Sequence, residues 1–190
     1  MERSDRELMA ALAQGDRDAL SALMERHYRR IYRVVLGYLR DPDEALDVVQ
    51  ETFVKAFQNA ARWDARSEVA PWLTRIGINQ AIDRYRRIRR RRLSEQPLAD
   101  GPADHDHDRR WSDLAPSPER QALGHELGAR IAGALRGLPE RQRTIVVLRH
   151  YDEMTLDEIA ETLGLSLGTV KSSLHRAIHR LRDRLGERGR

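Results

Sequence analysis

The stretch "LDEIAETLGLSLGTVKSSLHRA", Leu156 to Ala177, has the apolar spacing of an amphipathic helix, yet it carries glycines at Gly164 and Gly168. Glycine in a helix interior costs about 1 kcal/mol against alanine, so one unbroken helix is a poor solution here. Leu156, Ile159, Ala160 and Leu163 form one short apolar face. Gly164 follows where a helix C-terminus needs a left-handed residue, a conformation glycine adopts without steric cost. "GLS" is then a tight turn, with Ser166 placed to cap a second helix. Val170, Leu174, Ala177, Leu181 and Leu185 line that helix at spacings of three and four. The small Ala160 lets the two helices cross closely. A small residue, a turn glycine and a buried apolar residue in the second helix make the helix-turn-helix pattern.

The face opposite that stripe indicates what such a break is for. At 100° per residue, Ser172, His175, Arg176 and His179 point outward, with Lys171 and Ser173 on the flanks. These side chains suit base edges and phosphates: arginine and lysine for guanine or phosphate, serine for either. The second helix, held at an angle to the first, is shaped to enter a major groove. The alternative is a plain helical hairpin with a solvated basic face.

The rest of the chain reads as helix too. Of its 190 residues, 34% are charged and only 5% aromatic, too polar for one large core and suited to small helical domains. Period-two alternation is nearly absent, so the expected fold is all-α. Leu20, Leu23, His27, Ile31, Val34 and Tyr38 form an amphipathic stripe. In "RDPDEALDVVQETFVKAF", Asp41 caps a helix, Pro42 suits its first position and Glu44 stands where a capping box needs it. Ala45, Val48, Val49, Thr52 and Ala56 then face inward, and Asp47, Gln50, Glu51 and Val54 fall on the other side. "APWLTRIGINQAIDRYRRIRR" carries two apolar stripes, Trp72, Leu73 and Ile76 against Ile78, Ile82 and Tyr85, as expected of a helix buried on two sides. Seven of the nine residues in "RYRRIRRRR", Arg84 to Arg92, are arginine, the footprint of a phosphate-binding segment, a solvated helix end or an anionic membrane surface.

Residues 93–118, "LSEQPLADGPADHDHDRRWSDLAPSP" within their span, lose periodicity and gain prolines and acids, which predicts a flexible acidic linker. "HDHD" within it has ligand-type residues but no scaffold to fix their geometry, so no metal site is expected. The chain has no cysteine, which removes disulfides and thiolate zinc sites. The N-terminus lacks a hydrophobic signal core, and no apolar run approaches the roughly 18 residues a membrane span needs. A cytoplasmic protein is expected. No paired-carboxylate pocket, glycine-rich phosphate loop or cysteine nucleophile points to an enzyme, a cofactor or a small-molecule substrate.

Two blocks resemble a known family. "DEALDVVQETFVKAF" followed by "WLTRIGINQAIDRYRR" is similar to the second conserved region of bacterial sigma factors of the extracytoplasmic-function (ECF) type. "LPERQRTIVVLRHYDEMTLDEIAETLGLSLGTVKSSLHRAIHRLR" is similar to their fourth region, and the two stand in the family's order. The resemblance implies a sigma subunit with a region 2 domain over 1–92, the linker over 93–118 and a region 4 domain over 119–190. Its partners would be core RNA polymerase, through the β′ clamp helices and the β flap, promoter DNA, and an anti-sigma factor. It implies core binding by Asp47, Gln50, Glu51 and Phe53. It implies capture of the −10 strand by Asp64, Arg66, Ser67, Asn79, Arg84 and Arg87, and reading of the −35 element by Thr169, Lys171, Ser172, Ser173, His175 and Arg176. Two departures stand out: Val69 lies where the family often places an aromatic residue nearby, and Gly77 where it usually has alanine. A stand-alone helix-turn-helix regulator is the rival reading, and it leaves "DVVQETFVKAF" without a role.

Overall fold

The computed structural model describes residues 3–94 and 118–186, and all the elements among them are helical. Almost all of the expected linker, "HDHD" included, lies outside the described residues. In chain order the helices are α1 (Asp5–Ala13), α2 (Arg17–Leu39), α3 (Pro42–Asn59), α4 (Val69–Ser94), α5 (Pro118–Arg136), α6 (Glu140–Tyr151), α7 (Leu156–Leu163) and α8 (Leu167–Gly186). A 3-10 turn, Ala60–Arg62, follows α3.

Local chemistry sets the boundaries. Ser4 and Glu7 form a capping box at α1, and Asp16 accepts from the Asp18 and Ala19 amides at α2. Asp41 accepts from the Asp43 and Glu44 amides at α3, with Pro42 next to it as expected. Glu44 does not complete a capping box; its carboxylate turns instead to Arg84 on α4, where a charge-assisted contact is available.

The first four helices pack around one interior. Leu23, Ile31 and Val35 of α2, Val48, Val49 and Ala56 of α3, and Leu73, Ile78 and Ala81 of α4 are fully or almost fully buried, with Leu8, Met9 and Leu12 of α1 closing one end. Gly77 stands where α4 meets α2 and α3. A Cβ there would meet Ile31 Cγ2 at 3.1 Å, Thr52 Oγ1 at 3.5 Å and Val35 Cγ2 at 3.6 Å, so α2, α3 and α4 converge on a residue without a side chain.

The helix-turn-helix forms as the glycine break requires. Thr155 and Glu158 form a capping box at α7. Gly164 ends it at φ 63°, ψ 38°, in the left-handed region, and its N–H reaches the Ala160 and Glu161 carbonyls. Ser166 Oγ then accepts from the Thr169 amide at 3.2 Å and starts α8. A small second core of Leu135, Leu138, Val146 and Ala177 joins α5, α6 and α8.

The two halves do not stand apart. Ile145, Val147, Leu148, Met154, Ile159 and Val170 belong to the same apolar cluster as the α1–α4 core. Along the seam, Arg30 of α2 clasps Asp152 through two contacts, Nε to Oδ1 at 2.6 Å and Nη2 to Oδ2 at 3.1 Å. Thr74 of α4 donates to Oδ2 of the same carboxylate at 3.1 Å. Arg143 of α6, only 3% exposed, sets its guanidinium over the Tyr85 ring at 3.9 Å and 5.0 Å from the Tyr38 ring, and the two rings meet edge to face with centroids 6.0 Å apart. Arg40 donates to the Tyr151 hydroxyl at 2.9 Å, and Arg86 forms a bidentate pair with Glu140 at the exposed rim.

Candidate nucleic-acid and protein interfaces

Three surfaces gather the residues singled out above. The first is the outer face of α3. Its buried stripe of Val48, Val49, Thr52 and Ala56 turns Asp47, Gln50 and Val54 to solvent and leaves Glu51 half-buried. Val54 is 54% exposed, a bare apolar side chain beside the Asp47 and Glu51 carboxylates. Such a patch suits a partner that offers both cations and an apolar contact. Phe53 is not part of it. Its ring lies in the core at 2% exposure, because position 53 falls beside the inward Val49 and Ala56 rather than on the acidic side.

Arg84 of α4 reaches across to this face. Its guanidinium contacts Glu44, meets Glu51 at 2.5 Å and stands 3.6 Å from Asp47. Burial works against the charged form, but the hydrogen bonds and charge of Glu44 and Glu51 outweigh it and raise the group further. Arg84 therefore does not stand with the exposed Asn79 and Arg87 as a free cation; it braces the acidic face from behind. Nearby, buried Gln80 accepts from Lys55 Nζ at 2.7 Å, which ties α4 to α3 beside Arg87.

The second surface is the loop between the 3-10 turn and α4. Asp64 and Arg66 are exposed and Ser67 is half-buried. The Asp64 carboxylate accepts from the Arg66 amide at 2.9 Å, and its carbonyl accepts from the Ser67 amide at 2.8 Å. This Asx-type turn fixes the loop and leaves the Arg66 guanidinium projecting.

The third surface is the outer face of α8. Lys171, Ser172, His175 and Arg176 are exposed, and Thr169 is half-buried at the helix start. Among the described residues no ion pair neutralises Lys171 or Arg176. Ser172 Oγ bonds back to the Thr169 carbonyl at 3.1 Å, and Thr169 Oγ1 lies 2.8 Å from Ser166 Oγ. Ser173 corrects the expectation of a flanking position: it is 2% exposed. Three residues after Val170 and four before Ala177, it continues the buried stripe, where a small hydroxyl fits. The rings of His175 and His179 approach each other, Nε2 to Nε2, at 3.2 Å.

The seam residues Arg30, Arg143 and Asp152 carried no role in the sequence reading. The one signal was charge beside apolar runs, as in "RTIVVLRHYD", where Arg143 and Asp152 flank buried Ile145, Val147 and Leu148.

Comparison with known proteins matches both halves of the chain. The family model for Sigma-70 region 2 matches residues 23–92, and the model for Sigma-70, region 4 matches residues 134–183. The chain is 30% identical over 185 residues to the ECF RNA polymerase sigma factor SigW of Bacillus subtilis, covering 97% of this chain and 98% of that protein. It is 34% identical to the ECF RNA polymerase sigma factor SigM of Mycobacterium tuberculosis H37Rv, covering 97% and 86% respectively. Among solved structures, that of CnrH in complex with the cytosolic domain of CnrY superposes with a TM-score of 0.69 at 26% identity, over 96% of this chain and 97% of that one.

Proposed function

This chain belongs to the ECF RNA polymerase sigma factors of the sigma-70 family, and we propose how its surfaces divide that work. It is a non-enzymatic transcription-initiation factor that binds core RNA polymerase and promoter DNA.

In this reading residues 1–92 carry core binding and the −10 element, and residues 119–190 carry the −35 element. Asp47, Gln50 and Glu51, with Val54 among them, meet the β′ clamp helices, while Phe53 supports the helix from within. Arg66, Ser67, Asn79 and Arg87 face the melted −10 strand, where polar side chains can bond base edges and cations can track phosphates. Asp64 shapes the loop, and Arg84 positions the acidic face. Lys171, Ser172, His175 and Arg176 meet the −35 duplex, with Thr169 at the helix start and Ser173 inside. The α5–α8 unit docks on the β flap. An anti-sigma protein holds the factor in the cytoplasm until a signal releases it; CnrH, which this chain resembles, was solved in complex with the cytosolic domain of a second protein, CnrY. No helix among the described residues is long and apolar enough to cross a membrane.

The observation that carries this division is the pair of exposed faces: acids with an apolar centre on α3, and cations on α8 that no ion pair among the described residues neutralises. The test is promoter-directed transcription with core polymerase. Asp47→Arg with Glu51→Arg should abolish core binding in a pull-down, since charge reversal costs several kcal/mol where the pair is desolvated. Val54→Asp, which touches no ion pair, should weaken it as well. Arg176→Ala should leave core binding intact and cost about 1–3 kcal/mol at one −35 base pair if the contact is bidentate to guanine. A phosphate contact would instead weaken every promoter and flatten the salt slope by about one. Unchanged core affinity in both α3 variants, or unchanged transcription of every −35 variant at two salt concentrations, overturns the corresponding half.

A further inference from the structure

We propose that His175 and His179 form a two-histidine chelate for a divalent transition-metal ion on the outward face of α8. The argument begins with spacing. Residues four apart on a helix share a face, one turn above the other. "HRAIH" has the same interval as the two zinc-binding histidines of the H-E-x-x-H helix, with Arg176 and Ala177 where that motif has glutamate and a variable residue. Without the glutamate there is no general base, so the pair is suited to binding and not to hydrolysis.

The geometry then fits an ion. Two imidazole nitrogens, each about 2.0–2.1 Å from one metal, stand about 2.9 Å apart at a right angle and about 3.3 Å apart at the tetrahedral angle. The observed Nε2–Nε2 separation is 3.2 Å. The ring centroids are 4.5 Å apart and the planes tilted by 60°, so the rings converge at their nitrogen edges without stacking. Two nitrogens this close share either one hydrogen or one cation. In the metal-free protein one ring donates to the other; an ion replaces that hydrogen with little movement of either ring.

The helix holds the interval. Val170, Ser173 and Ala177 are buried on the opposite side, which anchors α8 on both flanks of His175. Both histidines are exposed, so the remaining coordination positions are open to water. Among the described residues no third histidine or carboxylate joins them. Imidazole donors without carboxylate select copper, nickel or zinc over magnesium or calcium, and copper should bind tightest.

The chelate stands on this geometry alone. Its consequence rests on the proposed −35 reading: an ion seated on His175 removes that ring from the duplex and places a hydrated cation between α8 and the base edges. Metal then weakens −35 binding.

The experiment uses the full chain. Cu²⁺ and Ni²⁺ are titrated into it calorimetrically, and histidine ring signals are followed by NMR with Ni²⁺. A 1:1 site that broadens the His175 and His179 signals, is lost in His175→Ala and in His179→Ala, and is retained in a His105→Ala, His107→Ala variant supports the chelate. A site retained in both α8 variants, or lost only with His105 and His107, overturns it, as does equal binding of Mg²⁺. A second arm measures promoter-duplex anisotropy with holoenzyme built from each chain, with and without Ni²⁺. Nickel should weaken the parent complex and leave the His179→Ala complex at its own metal-free affinity. Equal weakening of both overturns the −35 consequence. If the metal-free parent shows no dependence on the −35 sequence, the −35 reading fails while the titration still decides the chelate.

Discussion

Arg30 and Asp152 form one ion pair, but the two ways of breaking it should not cost the same. The Asp152 side chain is 0% exposed, whereas that of Arg30 is 33% exposed. In Arg30→Ala the carboxylate stays buried and keeps only the Thr74 hydroxyl at 3.1 Å. A stranded buried charge of this kind costs about 3–5 kcal/mol. In Asp152→Ala the guanidinium can turn toward water from its partly open position. What is lost is a charge-assisted pair plus an acceptor for the buried Thr74 hydroxyl, about 2–3 kcal/mol. Asp152→Asn keeps an oxygen for Thr74 and should cost less than either. Urea unfolding of the full chain, followed by circular dichroism, gives the three values, and the double variant closes the cycle. The order expected is Arg30→Ala above Asp152→Ala above Asp152→Asn. If Asp152→Ala equals or exceeds Arg30→Ala, then the burial asymmetry does not govern the seam and the reasoning fails.

Three further outcomes follow from the same structure. Gly37→Ala should lower stability although alanine favours helix by about 1 kcal/mol, because the new Cβ would lie 2.8 Å from Cγ and Cδ1 of the Tyr151 ring; a raised melting temperature would contradict this. Burial pushes the Tyr38 hydroxyl up to about 12, with Arg143 pulling the other way, so alkaline absorbance titration should show a late phenolate step that vanishes in Tyr38→Phe. Because the folded value lies above the ordinary one near 10, that group's contribution is complete below about pH 10 and is lost as pH rises toward 12. Burial also acts to raise the Asp5 carboxyl, but hydrogen bonds from Arg26 and His27, both 2.7 Å, and their charge hold it below its usual range. A depressed carboxylate stabilises above its unfolded value near 4 and loses that contribution as pH falls through the folded value, so acid unfolding of Asp5→Asn should show a shallower pH dependence below about pH 4.

What could be read from residue order was local. The caps at Asp41 and Ser166, the left-handed Gly164 and the inward stripe of α3 each depend on neighbours within one or two turns. Errors came where a residue had two plausible sides. Phe53 and Ser173 lie at the edges of their stripes, and burial took both inward. Glu44 had a capping role available nearby and a guanidinium available 40 residues away, and the charged partner won. The seam was illegible because its partners are 122, 78 and 54 residues apart, for Arg30, Thr74 and Arg86 with Asp152 or Glu140. Each of those side chains alone looks like an ordinary solvated or helix-surface group. The closeness of the two α8 histidines was implicit in their spacing, but the turn of their Nε2 atoms toward each other was not.

The seam also sets a limit on reach. Elements named −10 and −35 lie about 25 base pairs apart, which is about 85 Å of duplex at 3.4 Å per step. The 23 residues between Ser94 and Pro118 could span at most about 80 Å if drawn straight. With Asp152 held by Arg30 and Arg143 packed over Tyr85 and beside Tyr38, the two halves are in direct contact. A molecule closed in this way is too short a ruler for a promoter. If the two halves divide the promoter as proposed, straddling both elements requires the Arg30 clasp and the Arg143–tyrosine contact to part, so the polymerase and DNA must supply whatever free energy holds that seam shut.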